Sequence, residues 1–206
     1  MSKLQVKSDV FSELGVGAGL LLSSAPTINE STNAITITDA SIIGATRGGF
    51  TFNPNPQTRA RVVDGLASNT VGAHTIDRYE PTLAGTFITA DLPTLKKACG
   101  FGDISDNELT FRHDVKSEDY FDVWFIQMRS DGGAIILKLS NASCAITAGS
   151  LKTTDAGETE ISLTFVGNYT IADQDTPPFS IQMVDAPVTP TPTPTEQTQG
   201  SGTSNP

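Results

Sequence analysis

Apolar and polar residues alternate in short runs along most of this chain, with turn signals between them. Residues 33–38 (NAITIT) alternate as a half-buried strand does. Residues 42–80 begin with a glycine-dense turn, Gly44 to Gly49, followed by a short alternating run at 50–53. Pro54 and Pro56 then kink the chain before a strand-forming segment at 58–63, an Asp64-Gly65 turn and a returning limb at 71–79. The pattern predicts a long hairpin over 50–79. Its prolines remove ladder donors, so it must be bulged, irregular or at an edge.

Further strands are predicted over 82–89, 109–112 and 120–128. The last of these (YFDVWFIQM) is apolar on both faces except at Asp122 and Gln127, as in a strand covered on both sides. Asp131-Gly132-Gly133 turns into 134–140, where Ile135, Leu137 and Leu139 share a face, and another strand is read over 145–152. The clearest alternation covers 160–171. Ile161, Leu163, Phe165, Tyr169 and Ile171 point one way, and Glu160, Ser162, Thr164, Asn168 and Thr170 the other. At about twelve residues it is roughly twice the usual strand length.

A single helix is expected, over 91–99. Asp91 is placed to cap it, Pro93 falls in its first turn, Lys96 and Lys97 in its last, and Gly100 can make the left-handed stop. It is short, so packing through Leu92 and Leu95 must hold it. About eight strands and one flanking helix give a mainly β fold, a β-sandwich or partly closed β-barrel. Residues 1–30 read as an extended N-terminal arm, because Gly15, Gly17 and Gly19 weaken any helix. Residues 31–185 form the β domain, and 186–206 a Pro/Thr-rich tail too polar to fold alone.

Composition narrows the function. Charged residues make up only 17% of the 206 and the formal net charge is −10. Gripping nucleic acid needs clustered Lys and Arg, which an acidic chain lacks, although a negative wall would let DNA pass without sticking. Residues 1–10 show no apolar signal core, and the run 14–22 is too short to span a bilayer, so a soluble protein made in a cytoplasm is expected. Cys99 and Cys144 have no C-x-x-C spacing and read as two thiols in a reducing compartment.

Candidate chemistry is sparse. Gly44 to Thr51 has the glycine spacing of a phosphate loop, but Phe50 stands where the loop requires Lys. His74 and His113 lack metal-ligand companions, so no metal and no cofactor is expected. Asp103, Asp106, Glu108, Asp114, Glu118 and Asp119 read as a solvated acidic face, with a carboxylate hydrolase the weakest alternative. Arg59 and Arg61 fit a strand face or an interface better than an anion site. Extended structure stands out instead, and exposed strands pair with neighbours unless blocked.

The run IIGATRGGFTF, then R-x-R-V-V-D-G from Arg59, then VGAHTIDRYEPTLAGTF, and later GAIILKLSNASC and ETEISLTFVGNYT, share an order of blocks. In that order the chain resembles the major tail protein, or tail tube protein, of long-tailed bacteriophages with non-contractile tails. The resemblance covers about residues 35–171. It implies a non-enzymatic structural subunit, located in the virion tail and assembled in the host bacterial cytoplasm. Six copies would form a ring, and rings would stack into a tube for DNA ejection.

The hairpin would reach the next ring, carrying Arg59, Arg61, Asp64, Gly65, Asn69 and His74. Glu160, Ser162, Thr164 and Asn168 would face the lumen, where viral double-stranded DNA passes without specific binding. Implied partners are further copies of the chain and the tape measure, tail terminator and tail tip proteins, with no membrane. The alternative is a carbohydrate- or receptor-binding β-sandwich on a virion surface.

Overall fold

The computed structural model describes residues 14–65, 67, 70–88, 91–144, 149–153 and 157–188. The chain is mainly β, with a large antiparallel sheet and one α-helix among these residues. In chain order the strands are β1 (Gly15–Leu22), β2 (Thr27–Asn29), β3 (Ala34–Thr36), β4 (Thr46–Asn53), β5 (Pro56–Ala60), β6 (His74–Tyr79) and β7 (Thr82–Phe87). Helix α1 (Leu92–Cys99) follows, then β8 (Gly102–Ser105), β9 (Glu108–Phe111), β10 (Phe121–Arg129), β11 (Ala134–Cys144), β12 (Ser150–Lys152), β13 (Glu160–Val166) and β14 (Phe179–Val184).

The main sheet runs β1-β10-β11-β13-β7-β4, with β12 added on β13 and β14 on β11. Strand β11 is the hinge of the architecture. Its first half pairs with β10 and β14, while Ser143 and Cys144 pair with Val166 and Phe165 of β13. The sheet therefore curls over itself. Its two ends touch where Leu22 bridges Ile42 and the Ile43 N–H donates to Leu21 O at 2.9 Å, without closing a barrel.

The main core lies inside the curl. Leu83, Phe87, Ile161, Leu163 and Phe165 from one half meet Leu21, Val123, Leu137 and Leu139 from the other. Phe50 spans the gap, with its ring 5.9 Å from Phe87 and 5.2 Å from Phe125. A second core covers the opposite face of β1, β10, β11 and β14, where Leu22, Ile126, Ile136 and Val184 are roofed by Ile28 and Ile35 of the β2–β3 hairpin. Two cores explain why β10 reads as apolar on both faces.

Helix α1 follows its sequence signals. The Thr94 N–H donates to Asp91 Oδ1 at 3.2 Å, and Gly100 ends the helix at φ 98°. Leu95 packs on the main core as expected, but Thr94 is the residue that is fully buried. Its hydroxyl donates to Ile43 O at 3.0 Å, tying the helix to the segment entering β4.

Several expectations need correction. The N-terminal arm stops short of residue 30, because β1 is an integral strand. Its glycines disguised it: Gly17 and Gly19 sit at φ 78° and 75°, and a Cβ on Gly19 would lie 2.3 Å from the Phe125 ring. Residues 1–13 lie outside the described residues, as do 189–206 of the expected tail. The expected hairpin limb at 50–53 belongs to β4 in the main sheet. The strand expected over 145–152 is described only at Ser150–Lys152. The strand expected over 160–171 ends at Val166, because Gly167 is wedged against Leu139, Pro81 and Pro178 and the chain turns there. Ile171, expected to point the same way as Ile161, Leu163 and Phe165, is 99% exposed. Strand β14 was not expected, although FSIQMV alternates.

Candidate functional site

The β5–β6 hairpin stands off the main sheet as a separate two-stranded ladder. Asn53, Pro54 and Asn55 swing the chain out of β4. Asn55 holds φ 42°, its N–H donating to Asn53 Oδ1 at 3.1 Å. The base is anchored on the body: the Tyr79 N–H donates to the Tyr169 hydroxyl at 2.9 Å, and the Tyr79 ring lies 5.4 Å from Phe179. Every residue of β5 is exposed. Gln57 pairs with Arg78 and Thr58 with Ile76, leaving Asp77 as a bulge, which fulfils the expected irregularity.

Arg59 Nη2 lies 3.4 Å from Asp77 Oδ1, and Arg61 Nε donates to Thr75 Oγ1 at 2.9 Å. His74 pairs with Ala60 across the ladder. The Arg61 N–H donates to Ala73 O at 2.6 Å, closing the ladder below the tip. Asp64 and Gly65 form the expected turn, with Gly65 at φ 82°. Asn69 lies outside the described residues. At the tip Val62 is 92% and Val71 101% exposed, with Val63 at 53%. Above its base the hairpin has no buried residue, and a two-stranded ladder of that kind does not hold itself by packing. These aliphatic side chains are the exposed apolar surface that the arginine-centred reading of the hairpin passed over.

The second surface is the outer face of β12, β13, β7 and β4. Ser162 lies between Ser150 and Thr86, with Arg47 beyond, and Thr164 lies beside Ala84, with Thr51 beyond. Glu160, Ser162 and Thr164 therefore share a polar face, as the alternation predicted. Asn168 does not. It lies past the end of β13, and its side-chain amide donates to Asn141 O at 2.7 Å and Val166 O at 3.0 Å. Glu160 is not a lone negative charge. Arg47 lies 3.4 Å from it and Lys152 3.9 Å, and Arg47 also holds Glu158 at 2.5 Å. The backbone N–H of Glu158 first, and then Arg47, keep the Glu158 carboxyl below its ordinary pKa.

No family model matches this chain, and no curated protein matches it. Solved structures do. One chain from the virion of a native gene transfer agent particle is similar over 80% of this chain and 95% of its own, at 11% identity and TM-score 0.38. One from the tail of an empty gene transfer agent particle, refined with C6 symmetry, covers 74% and 92%, at 13% identity and TM-score 0.38. Similarity at this level assigns no activity, so function has to be argued from the chain's own surfaces.

The acidic cluster expected as a solvated face is largely ion-paired. Arg112, only 11% exposed, sits between Asp103 at 3.0 Å and Asp119 at 2.7 Å. The Arg112 Nε contact to Asp103 is an ion pair without hydrogen-bond alignment, since that nitrogen finds no hydrogen-bond partner among the described residues. Lys116 reaches Asp103 and Glu118. Carboxylates held on a buried guanidinium are poorly placed for acid–base work. Burial pushes the Asp119 carboxyl up, but the Lys116 N–H and the Arg112 guanidinium outweigh it and hold the carboxyl below its usual range. Among the described residues no group of His, Cys, Asp and Glu could hold a metal ion.

A cavity of about 350 Å³ lies under helix α1 against β8 and is lined by Pro93, Phe101, Ile104 and Phe121, with Lys96 and Lys97 on it. The Lys97 ammonium lies 5.4 Å from the Phe121 ring centroid, and burial lowers its pKa.

Proposed function

We propose that this chain is a non-enzymatic structural subunit of a bacteriophage tail, and that it assembles into stacked rings forming a tube for DNA. The observation that carries the reading is the β5–β6 hairpin: anchored at its base, exposed on both faces and tipped with bare valines. Such an element gains its packing from a neighbour. The resemblance in block order to tail tube proteins supports the same reading. A head-to-tail contact that does not close yields a filament, and ring closure within each layer yields a tube.

The polar face of β12, β13, β7 and β4 is the proposed lumen wall. Four strands from each of six copies make about 24 strands, a circumference on the order of 115 Å and a diameter of roughly 35–40 Å. That bore admits a duplex. The wall is hydrated and charge-balanced, because Arg47 and Lys152 offset Glu158 and Glu160. DNA therefore meets no cluster of uncompensated cations on which phosphate would dwell. The sequence alone implied a weakly repulsive wall; the ion pairs make it close to neutral.

Electron microscopy of concentrated purified protein tests the reading. Rings or tubes roughly 100 Å wide are expected from that bore with a sandwich wall on each side. Particles that remain monomeric at high concentration, while binding glycans, would overturn it in favour of a surface-binding module.

A further inference from the structure

We propose that the cavity beside helix α1 receives the hairpin tip of a second copy of this chain, with Val62 and Val63 entering its apolar interior and Asp64 meeting Lys96 and Lys97. This rests on the reading of the hairpin as the joint between copies and adds the site into which the joint fits.

The placement of the two features is the first argument. Strand β4 runs from Thr46, opposite Phe87, to Asn53, opposite Thr82. The hairpin leaves the ladder at the Asn53 and Thr82 end. Helix α1 sits at the Thr46 and Phe87 end, fixed there by the Thr94 hydroxyl on Ile43 O. The cavity runs from the helix to Phe121 and Cys144, and Cys144 lies two strands from β7 across β13, so knob and cavity lie apart on the body. The tip's valines are exposed and do not fill the chain's own cavity, which is open to the tip of a second copy. A contact between two different surfaces that does not close repeats without limit, as a stack requires.

Chemistry is the second argument. The tip offers two exposed aliphatic side chains followed at once by a carboxylate. The cavity offers an apolar lining with two lysines. Its acidic members are already engaged, Asp119 by Arg112 and Glu118 by Lys116. Asp119 and Asp91 act on Lys96 and Lys97 from a distance, but no ion pair within 4.0 Å is formed by either lysine among the described residues, so both can meet Asp64. Its volume of about 350 Å³ accommodates two aliphatic side chains. From Pro56 to Asp64 an extended chain spans about 30 Å, enough to clear the body and reach the next copy.

The test uses the full-length chain carrying Val63→Cys and Ile104→Cys together, concentrated and oxidised. A ladder of disulfide-linked oligomers is expected, with the 63–104 peptide pair identified by mass spectrometry and absent from either single variant. In parallel, Asp64→Lys should reduce head-to-tail oligomers about ten-fold, and adding Lys96→Asp with Lys97→Asp should restore them. Restoration also shows that the lysine substitutions leave the fold intact.

A third variant replaces residues 62–72 with an Asn-Gly turn above the Arg61 and Ala73 pair. If that variant loses its oligomers while the cysteine pair fails to link and the charge swap fails to rescue, the receptor lies elsewhere and the hairpin reading stands. If it keeps its oligomers, the hairpin reading falls and this proposal with it.

Discussion

At the scale of single residues, a few contacts with no surface role decide how firmly the frame holds the hairpin and the polar face. Gly85 of β7 faces Phe50 of β4, whose ring covers it so closely that a Cβ there would lie 2.4 Å from a ring carbon. Gly85→Ala should push that ring out of the main core and cost about 1–3 kcal/mol in urea unfolding. Thr94→Val keeps the shape but strands the Ile43 carbonyl. It should cost about 1–3 kcal/mol and loosen the helix before the sheet, as read by amide exchange at Leu95.

Asp119 predicts a pH effect. Its folded pKa is depressed, so its contribution is present above the unfolded Asp value and is lost as pH falls through the lower folded value. Thermal stability should therefore decline in acid below about pH 4, and Asp119→Asn should flatten that decline at the expense of stability near neutrality.

At the scale of elements, the hairpin and helix α1 differ in how their sequences specify them. The helix carries its own punctuation, cap, proline, lysines and glycine, and its limits are read from residues 91–100 directly. The hairpin was legible as a hairpin because two strand-forming runs flank Asp64-Gly65. Its root was not. Residues 50–53 alternate like the hairpin's outgoing limb, yet Phe50 and Phe52 pair with Gly85 and Leu83 inside the main sheet. Only the choice of neighbour separates the two assignments. Tyr169 shows the same thing: the alternation put it on the same side as Ile161, Leu163 and Phe165 of one long strand, whereas its hydroxyl secures the hairpin base. Tyr169→Phe should leave the main core intact and raise the proteolytic sensitivity of the hairpin, checked by limited digestion against the unchanged melting of the body.

At the scale of the whole molecule, the curled sheet presents its two proposed assembly surfaces in different directions. The hairpin continues past one end of the β4–β7 ladder, while the polar face lies on the side of that ladder opposite the core. A stack and a lumen therefore make independent demands on the chain. Glu160→Lys, Ser162→Lys and Thr164→Lys together should leave assembly unchanged, because none of these residues lies on the hairpin or at the cavity. The added cations should instead retain DNA in a salt-dependent way, measured by genome release from assembled particles. Normal release from that triple variant would remove the polar face from the lumen wall.

The sequence by itself determined what short-range pattern controls. It settled the β class, the helix and its ends, the double-faced character of β10, the alternation of Glu160, Ser162 and Thr164, and the existence of a kinked hairpin. Each rests on side-chain period or turn chemistry, which neighbours along the chain set. Tertiary structure decided what depends on partners distant in sequence. It made a strand of glycine-interrupted Gly15–Leu22 because Phe125 fills the space its glycines leave. It turned an acidic loop into an ion-paired clamp around Arg112, and it neutralised Glu160 with Arg47, more than a hundred residues away. It also gathered Phe121, Cys144 and helix α1 around one cavity, because contacts between elements distant in sequence leave no mark on the local pattern.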